Sequence, residues 1–103
     1  MKILINSDKT IHSSASLQDN LKDILHKELS HYQPKLSRID VHLTDQNGVK
    51  EGVNDILCLI EAHIDGRPSA LASEQADTLE LAFSGALDHL VSSLERDFGR
   101  NPH

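Results

Sequence analysis

The second half of the chain constrains the fold most. From Asp55 to Ile64 the residues alternate, with Ile56, Cys58, Ile60, Ala62 and Ile64 on one face and Leu57, Leu59, Glu61 and His63 on the other. Such alternation is the pattern of a β-strand that buries one side. Asp65-Gly66-Arg67-Pro68 then reads as a tight turn, and the small residues from Ser69 to Ser73 as the returning strand. From Ala76 to Phe98 the period changes. Leu79, Phe83, Ala86, Leu87, Leu90 and Leu94 fall on one stripe of a long amphipathic helix, and Gly99 is placed to close it. Small residues at Ala82, Gly85 and Ala86 let this helix lie close to a neighbouring layer.

The first half supplies the rest of the sheet. Lys2 to Asn6 predicts a short strand with Ile3 and Ile5 on one face and Leu4 on the other. Ser14 and Ser16 are candidate N-caps, and Ser16 with Asp19 resembles a capping box. A helix is therefore predicted from Leu17 to Tyr32, with Leu17, Leu21, Ile24, Leu25 and Leu29 as its buried stripe and Pro34 ending it. Arg38 to Asp45 alternates again, and the polar stretch Gln46 to Asn54 reads as a hairpin loop. Matching the apolar faces pairs Ile39 with Ile60, Val41 with Cys58 and Leu43 with Ile56, which sets His42 beside Leu57 and Asp40 beside Leu59. The expected architecture is a single α+β domain over residues 1–103, of order β-α-β-β-β-α. Two helices cover one face of a four-stranded sheet. The other face stays open, with Leu57 and Leu59 marking where a partner or a second copy binds as a weak homodimer.

Composition excludes several classes. With 3% aromatic residues and no Trp, the core must be aliphatic. The one cysteine, Cys58, sits in an apolar run and reads as a small core residue, which suits a reducing, cytoplasmic setting. No apolar stretch is long enough to span a membrane, and the N-terminus is too short for a secretory signal. The net charge of -6 is unevenly spread, +2 over residues 1–39 and -8 over residues 40–103. Phosphate binding draws on Lys and Arg, so an acidic chain engages nucleic acid only through a local basic patch. Two places qualify, the end of the first helix with its following loop and the tail at Arg96 and Arg100.

Catalytic chemistry is sparse. None of the seven histidines stands three or four residues from another, the spacing that presents a metal from one helical face. They read as solvated surface groups, with His42 and His63 on the open sheet face but not cross-strand neighbours. The carboxylates show no sign of a buried acid/base pair, and no phosphate-binding glycine loop is present. The expectation is a protein that is not an enzyme and takes no cofactor or metal.

The run CLIEAHIDGRPSALASEQA, the helix TLELAFSGALDHLVSSLERDFGR and the order of elements resemble the ribosome hibernation promoting factors and ribosome-associated inhibitors, also called the sigma-54 modulation family. Ile60-Glu61-Ala62-His63-Ile64 and Ala70-Leu71-Ala72 follow that family's apolar-acidic strand and small-residue strand, and Leu90 and Leu94 its later helical leucines. The resemblance implies a fold similar to a double-stranded RNA binding domain and a stress or stationary-phase factor. Such a factor binds the small ribosomal subunit, through ribosomal RNA, and inhibits translation. It implies RNA contacts from basic side chains of both helices, here Lys22 and Lys27, extended by Lys35 and Arg38, and Arg96 and Arg100. Positions that are basic in relatives fall on His89 and Ser92, while Asp77, Glu80, Asp88, Glu95 and Asp97 would repel phosphate. Ending at His103, the chain resembles the short form that lacks a C-terminal dimerisation domain. A second reading stays open, a diverged acidic member that has lost RNA binding and acts as a protein-interaction module through its open sheet face.

Overall fold

The computed structural model describes residues 1–8, 14–45 and 56–98. Their order is β1 (Lys2–Ser7), α1 (Ala15–Glu28), a 3-10 helix (Ser30–Lys35), β2 (Leu36–Asp45), β3 (Ile56–Ile64), β4 (Ala70–Ala76) and α2 (Leu79–Phe98). The strands form one mixed sheet in the order β1-β2-β3-β4, with β1 parallel to β2 and the other neighbours antiparallel. This is the expected α+β arrangement with a 3-10 helix added before β2. The loop placed at Gln46 to Asn54, together with Asp55, Gly99 and Arg100, lies outside the described residues.

Alternation decides which side of the sheet is covered. Ile39, Val41 and Leu43 of β2, Cys58, Ile60 and Ala62 of β3, and Ala70 and Ala72 of β4 are buried on one face. Leu21 and Leu25 of α1, and Phe83, Leu87, Leu90 and Leu94 of α2, complete this core. Burial pushes the Cys58 thiol up to about 12, so it packs as a small apolar residue and is not a nucleophile.

Both helices begin where a side chain caps them, not where the apolar stripe begins. The Ser14 hydroxyl accepts from the Leu17 N–H at 3.1 Å, so α1 starts at Ala15 and the Ser16 capping box does not form. The Thr78 hydroxyl likewise accepts from the Leu81 N–H at 3.2 Å. Ala76, expected in this helix, is instead the last residue of β4, opposite Ile56. At its other end α1 stops at Glu28, and the Tyr32 N–H bonds the Leu29 carbonyl in a tighter 3-10 turn that contains Pro34. Leu29 and Tyr32 stay buried through that change, which is why the apolar spacing outruns the helix.

The β2–β3 register differs from the expected one by two residues. Ile39 lies opposite Ala62, Val41 opposite Ile60 and Leu43 opposite Cys58. A slip of two keeps every side chain on its face, so the apolar pattern is equally satisfied by both registers. The outer face is not. Asp40 faces Glu61 instead of Leu59, His42 faces Leu59 instead of Leu57, and Arg38 faces His63. The tight turn that follows β3 forms as expected, with Gly66 at φ 75° and the Arg67 N–H bonding the Ile64 carbonyl at 3.3 Å.

α2 lies against β3 and β4 through its small residues. A methyl group built at Gly85 would sit 2.5 Å from Glu74 Cγ, and Glu74 Oε1 is 2.9 Å from His89 Nε2 one helical turn on. Gly85→Ala therefore gains less than the roughly 1 kcal/mol that the exchange yields in an unobstructed helix, and part of the gain returns when Glu74→Ala is added, since only the Glu74 Cβ, at 3.1 Å, then remains in the way. Urea unfolding of the four proteins of this cycle measures the coupling, and strict additivity would remove the Glu74–Gly85 contact from the account.

Candidate functional site

The residues expected to contact RNA are dispersed over the surface. Lys27 and Arg96 are exposed, Lys22 is half-buried on α1, and Arg100 lies outside the described residues. Arg96 is seven residues from His89, so the two share a helical face. His89 bonds Glu74 on β4, which puts Arg96 on the β4 side of α2, away from α1. Lys27 lines a shallow depression with Asn20, Asp23, Ile24 and Glu28, so two carboxylates stand beside it.

A cationic end forms where the sequence pointed only in part. Lys35 Nζ lies 5.2 Å from the centre of the Phe98 ring, and the Arg67 guanidinium lies 4.6 Å from it. Arg67 Nη1 also donates to the Asp97 carbonyl at 2.7 Å, at the C-terminal end of α2 where a cation complements the helix dipole. Tyr32 stacks on Phe98 with 5.9 Å between ring centres. Two cations therefore gather at this end of the molecule, while Arg96, in the same last turn of α2 but two residues from Phe98, points from another side of the helix. Arg67 entered the sequence reading only as part of a turn. The available signal was that it is one of four bases in the acidic segment 40–103.

Arg38 is parted from Lys35, because β2 has begun at Leu36 and an irregularity in its pairing between Leu36 and Arg38 shifts the alternation, which sets Arg38 on the face opposite buried Ile39, away from the helices. There it joins a charged network. Arg38 Nε is 3.1 Å from Asp40 Oδ1, and His63 Nε2 is 3.0 Å from Asp40 Oδ2. His63 Nε2 cannot both donate to Asp40 and accept from Arg38 Nη2, 3.2 Å away. A neutral ring with its proton on Nε2 satisfies Asp40 and lets Nδ1 accept from the Ser69 hydroxyl at 3.3 Å. Asp40 is only 8% exposed and His63 is half-buried, so this carboxylate and this imidazole depart from the solvated groups expected. Asp40, Glu61 and His63 hold their ligand atoms within 4.8 Å of one another, a grouping able to bind a metal, but Arg38 already supplies a cation to it.

Hydrophobic side chains surround this network. Leu4, 39% exposed, lies opposite Asp40, and Leu71, 61% exposed, lies opposite Glu61. Leu57 and Leu59 are half-buried on the same face, opposite Thr44 and His42. The open face therefore carries four leucines where the sequence singled out two.

Burial by itself would raise the Asp40 pKa, but the His63 hydrogen bond and the Arg38 charge outweigh it and hold the carboxyl below its ordinary value. A depressed folded-state value contributes stability that is present above the ordinary carboxylate pKa and is lost as pH falls through the folded one. Removing either partner leaves only the other to oppose desolvation. His63→Ala and Arg38→Ala should thus each raise the Asp40 pKa and move the onset of acid destabilisation to higher pH. Carboxyl NMR titration with melting curves across pH checks this, and an unmoved Asp40 titration would contradict it.

No protein-family model and no curated protein matches the sequence. Solved structures do. The N-terminal domain of Thermus thermophilus Protein Y superposes with a TM-score of 0.73 at 18% identity, covering 94% of this chain and 99% of that one. A ribosomal subunit interface protein from Coxiella burnetii superposes with a TM-score of 0.62 at 15% identity, covering 94% and 92%. At these identities the likeness is one of fold. The chain thus has the fold of Protein Y's N-terminal domain and of a ribosomal subunit interface protein, and at that level the resemblance drawn from its sequence is borne out.

Proposed function

We propose that this protein is a ribosome-associated factor that binds the small ribosomal subunit and inhibits translation. The observation that carries the proposal is agreement in fold, over nearly the whole of both chains, with a ribosomal subunit interface protein and with the N-terminal domain of Protein Y. The cations gathered at Lys35 and Arg67, with Arg96 in the neighbouring turn of α2, support contact with ribosomal RNA there, and Lys22 and Lys27 offer a second point along α1. A net charge of -6 makes such contact local, with the cationic end turned toward phosphate and the acidic surfaces turned away.

Co-sedimentation with purified small subunits, at low and at moderate salt, tests this reading. Association that weakens as salt rises is expected, and replacing Lys22, Lys27, Arg96 and Arg100 together by Glu should weaken it by about tenfold or more while the melting temperature stays nearly unchanged. Absence of binding at low salt, or retained binding by the charge-reversed protein, would overturn it.

One observation favours a second reading, a protein-interaction module that works through the open sheet face without RNA. Leu4 and Leu71 stand exposed at the two ends of a row whose middle is Asp40 and Glu61. In that case Leu57→Asp with Leu59→Asp disrupts a dimer or partner complex detected by light scattering. A wild-type monomer that retains no partner in pull-downs would count against it.

A further inference from the structure

The two helices share a sheet face yet stand apart. α2 sits close to β3 and β4 through Ala82, Gly85 and Ala86, whereas α1 stands off the sheet on the larger Leu21 and Leu25. Between the helices runs a cleft of about 250 Å³ floored by Leu17, Ile24, Phe83 and Leu87. Its walls are acidic, Glu28 from α1 and Glu80 and Asp88 from α2. Glu28 also borders a second depression, which continues past Tyr32 and Val91 to Glu95. No Lys or Arg lines either one, although His31 borders the second and Lys27 adjoins Glu28 along α1, and none of the four carboxylates is in an ion pair among the described residues. The charge of Glu95 reaches the groove's end, where it adds to burial in raising the Tyr32 pKa.

Phosphate is the wrong ligand for such a groove. Four carboxylates along an apolar floor repel a polyanion and favour a cation that brings apolar surface with it. Their spacing says more. Glu80, Asp88 and Glu95 are eight and seven residues apart on α2, so at 1.5 Å per residue they recur about every 11 Å, two helical turns. Leu81, 60% exposed and seven residues before Asp88, extends the apolar surface beside the rim.

We propose that the α1–α2 cleft docks a basic amphipathic helix of a partner protein, with Lys or Arg two turns apart and bulky aliphatic side chains between them. The helix lies lengthwise in the cleft. Its aliphatic side chains meet Leu17, Ile24, Phe83 and Leu87, and its cations meet Glu28, Glu80, Asp88 and Glu95. The groove reaches the border of the cationic end at Tyr32, which stacks on Phe98, but its carboxylates call for a cation where that end calls for phosphate, so the inference does not depend on the RNA-binding reading.

The test uses a fluorescein-labelled synthetic peptide of about 16 residues, long enough as a helix to span the three α2 carboxylates, with Leu on one face and Lys two turns apart beside it. Saturable binding that weakens with salt is expected in fluorescence anisotropy. Glu80→Gln with Asp88→Asn should weaken it about tenfold, the loss of roughly 1.4 kcal/mol. Asp19→Asn with Asp65→Asn, the same change in net charge away from the cleft, should leave it within about twofold. Amide NMR shifts of the intact protein should centre on Ile24, Phe83 and Leu87. Equal weakening by both pairs would reduce the effect to net charge, and shifts centred on the open sheet face would place the peptide elsewhere. Either result overturns the proposal. So does a short RNA hairpin that displaces the peptide and binds more tightly once Glu80 and Asp88 are neutralised.

Discussion

The pairing of β2 with β3 carries the rest of the structure. β2 is hydrogen-bonded on both edges, parallel to β1 and antiparallel to β3, and its inward residues Ile39, Val41 and Leu43 are essentially without solvent. With so few aromatic side chains, the core gains its burial from many aliphatic contacts made in register along these two strands. The helices settle onto the surface this pairing creates. α2 comes close because β4 continues the sheet with alanines, and α1 stands further off on leucines. That difference in height opens the cleft between them.

The same pairing organises the outer face. Apolar patterning accepts any register that differs by two residues, because the side-chain period is two. The register adopted puts Arg38 opposite His63 and Asp40 opposite Glu61, and Asp40 then draws on both the guanidinium and the imidazole. The alternative would have set Asp40 beside Leu59 and away from His63, leaving its neighbour Arg38 on the same strand as partner for a carboxylate that is nearly buried. Two further bonds fix the end of the pair. The Asp65 N–H meets the Lys35 carbonyl, and the Ser37 hydroxyl meets the His63 carbonyl.

Charge is segregated in space more than along the chain. The cations at Lys35 and Arg67 meet over one ring, Phe98, although they come from different connections. The carboxylates of α1 and α2 meet across one cleft. An acidic chain can therefore present a basic end and an acidic groove at once.

By itself the sequence determined the type and order of the elements, the face each strand and helix buries, the tight turn at Gly66 and the inert, buried state of Cys58. These depend on local periodicity, which is written in neighbouring residues. Helix limits were less legible, since a capping hydroxyl at Ser14 or Thr78 decides them and the apolar stripe runs past the end. Only the tertiary structure decided the strand register, the parting of Arg38 from Lys35, the burial of Asp40, the joining of Lys35 and Arg67 at Phe98, and the acidic cleft. Each brings together residues distant in sequence, and their meeting depends on how layers pack and which charges then face one another, information that no single segment contains.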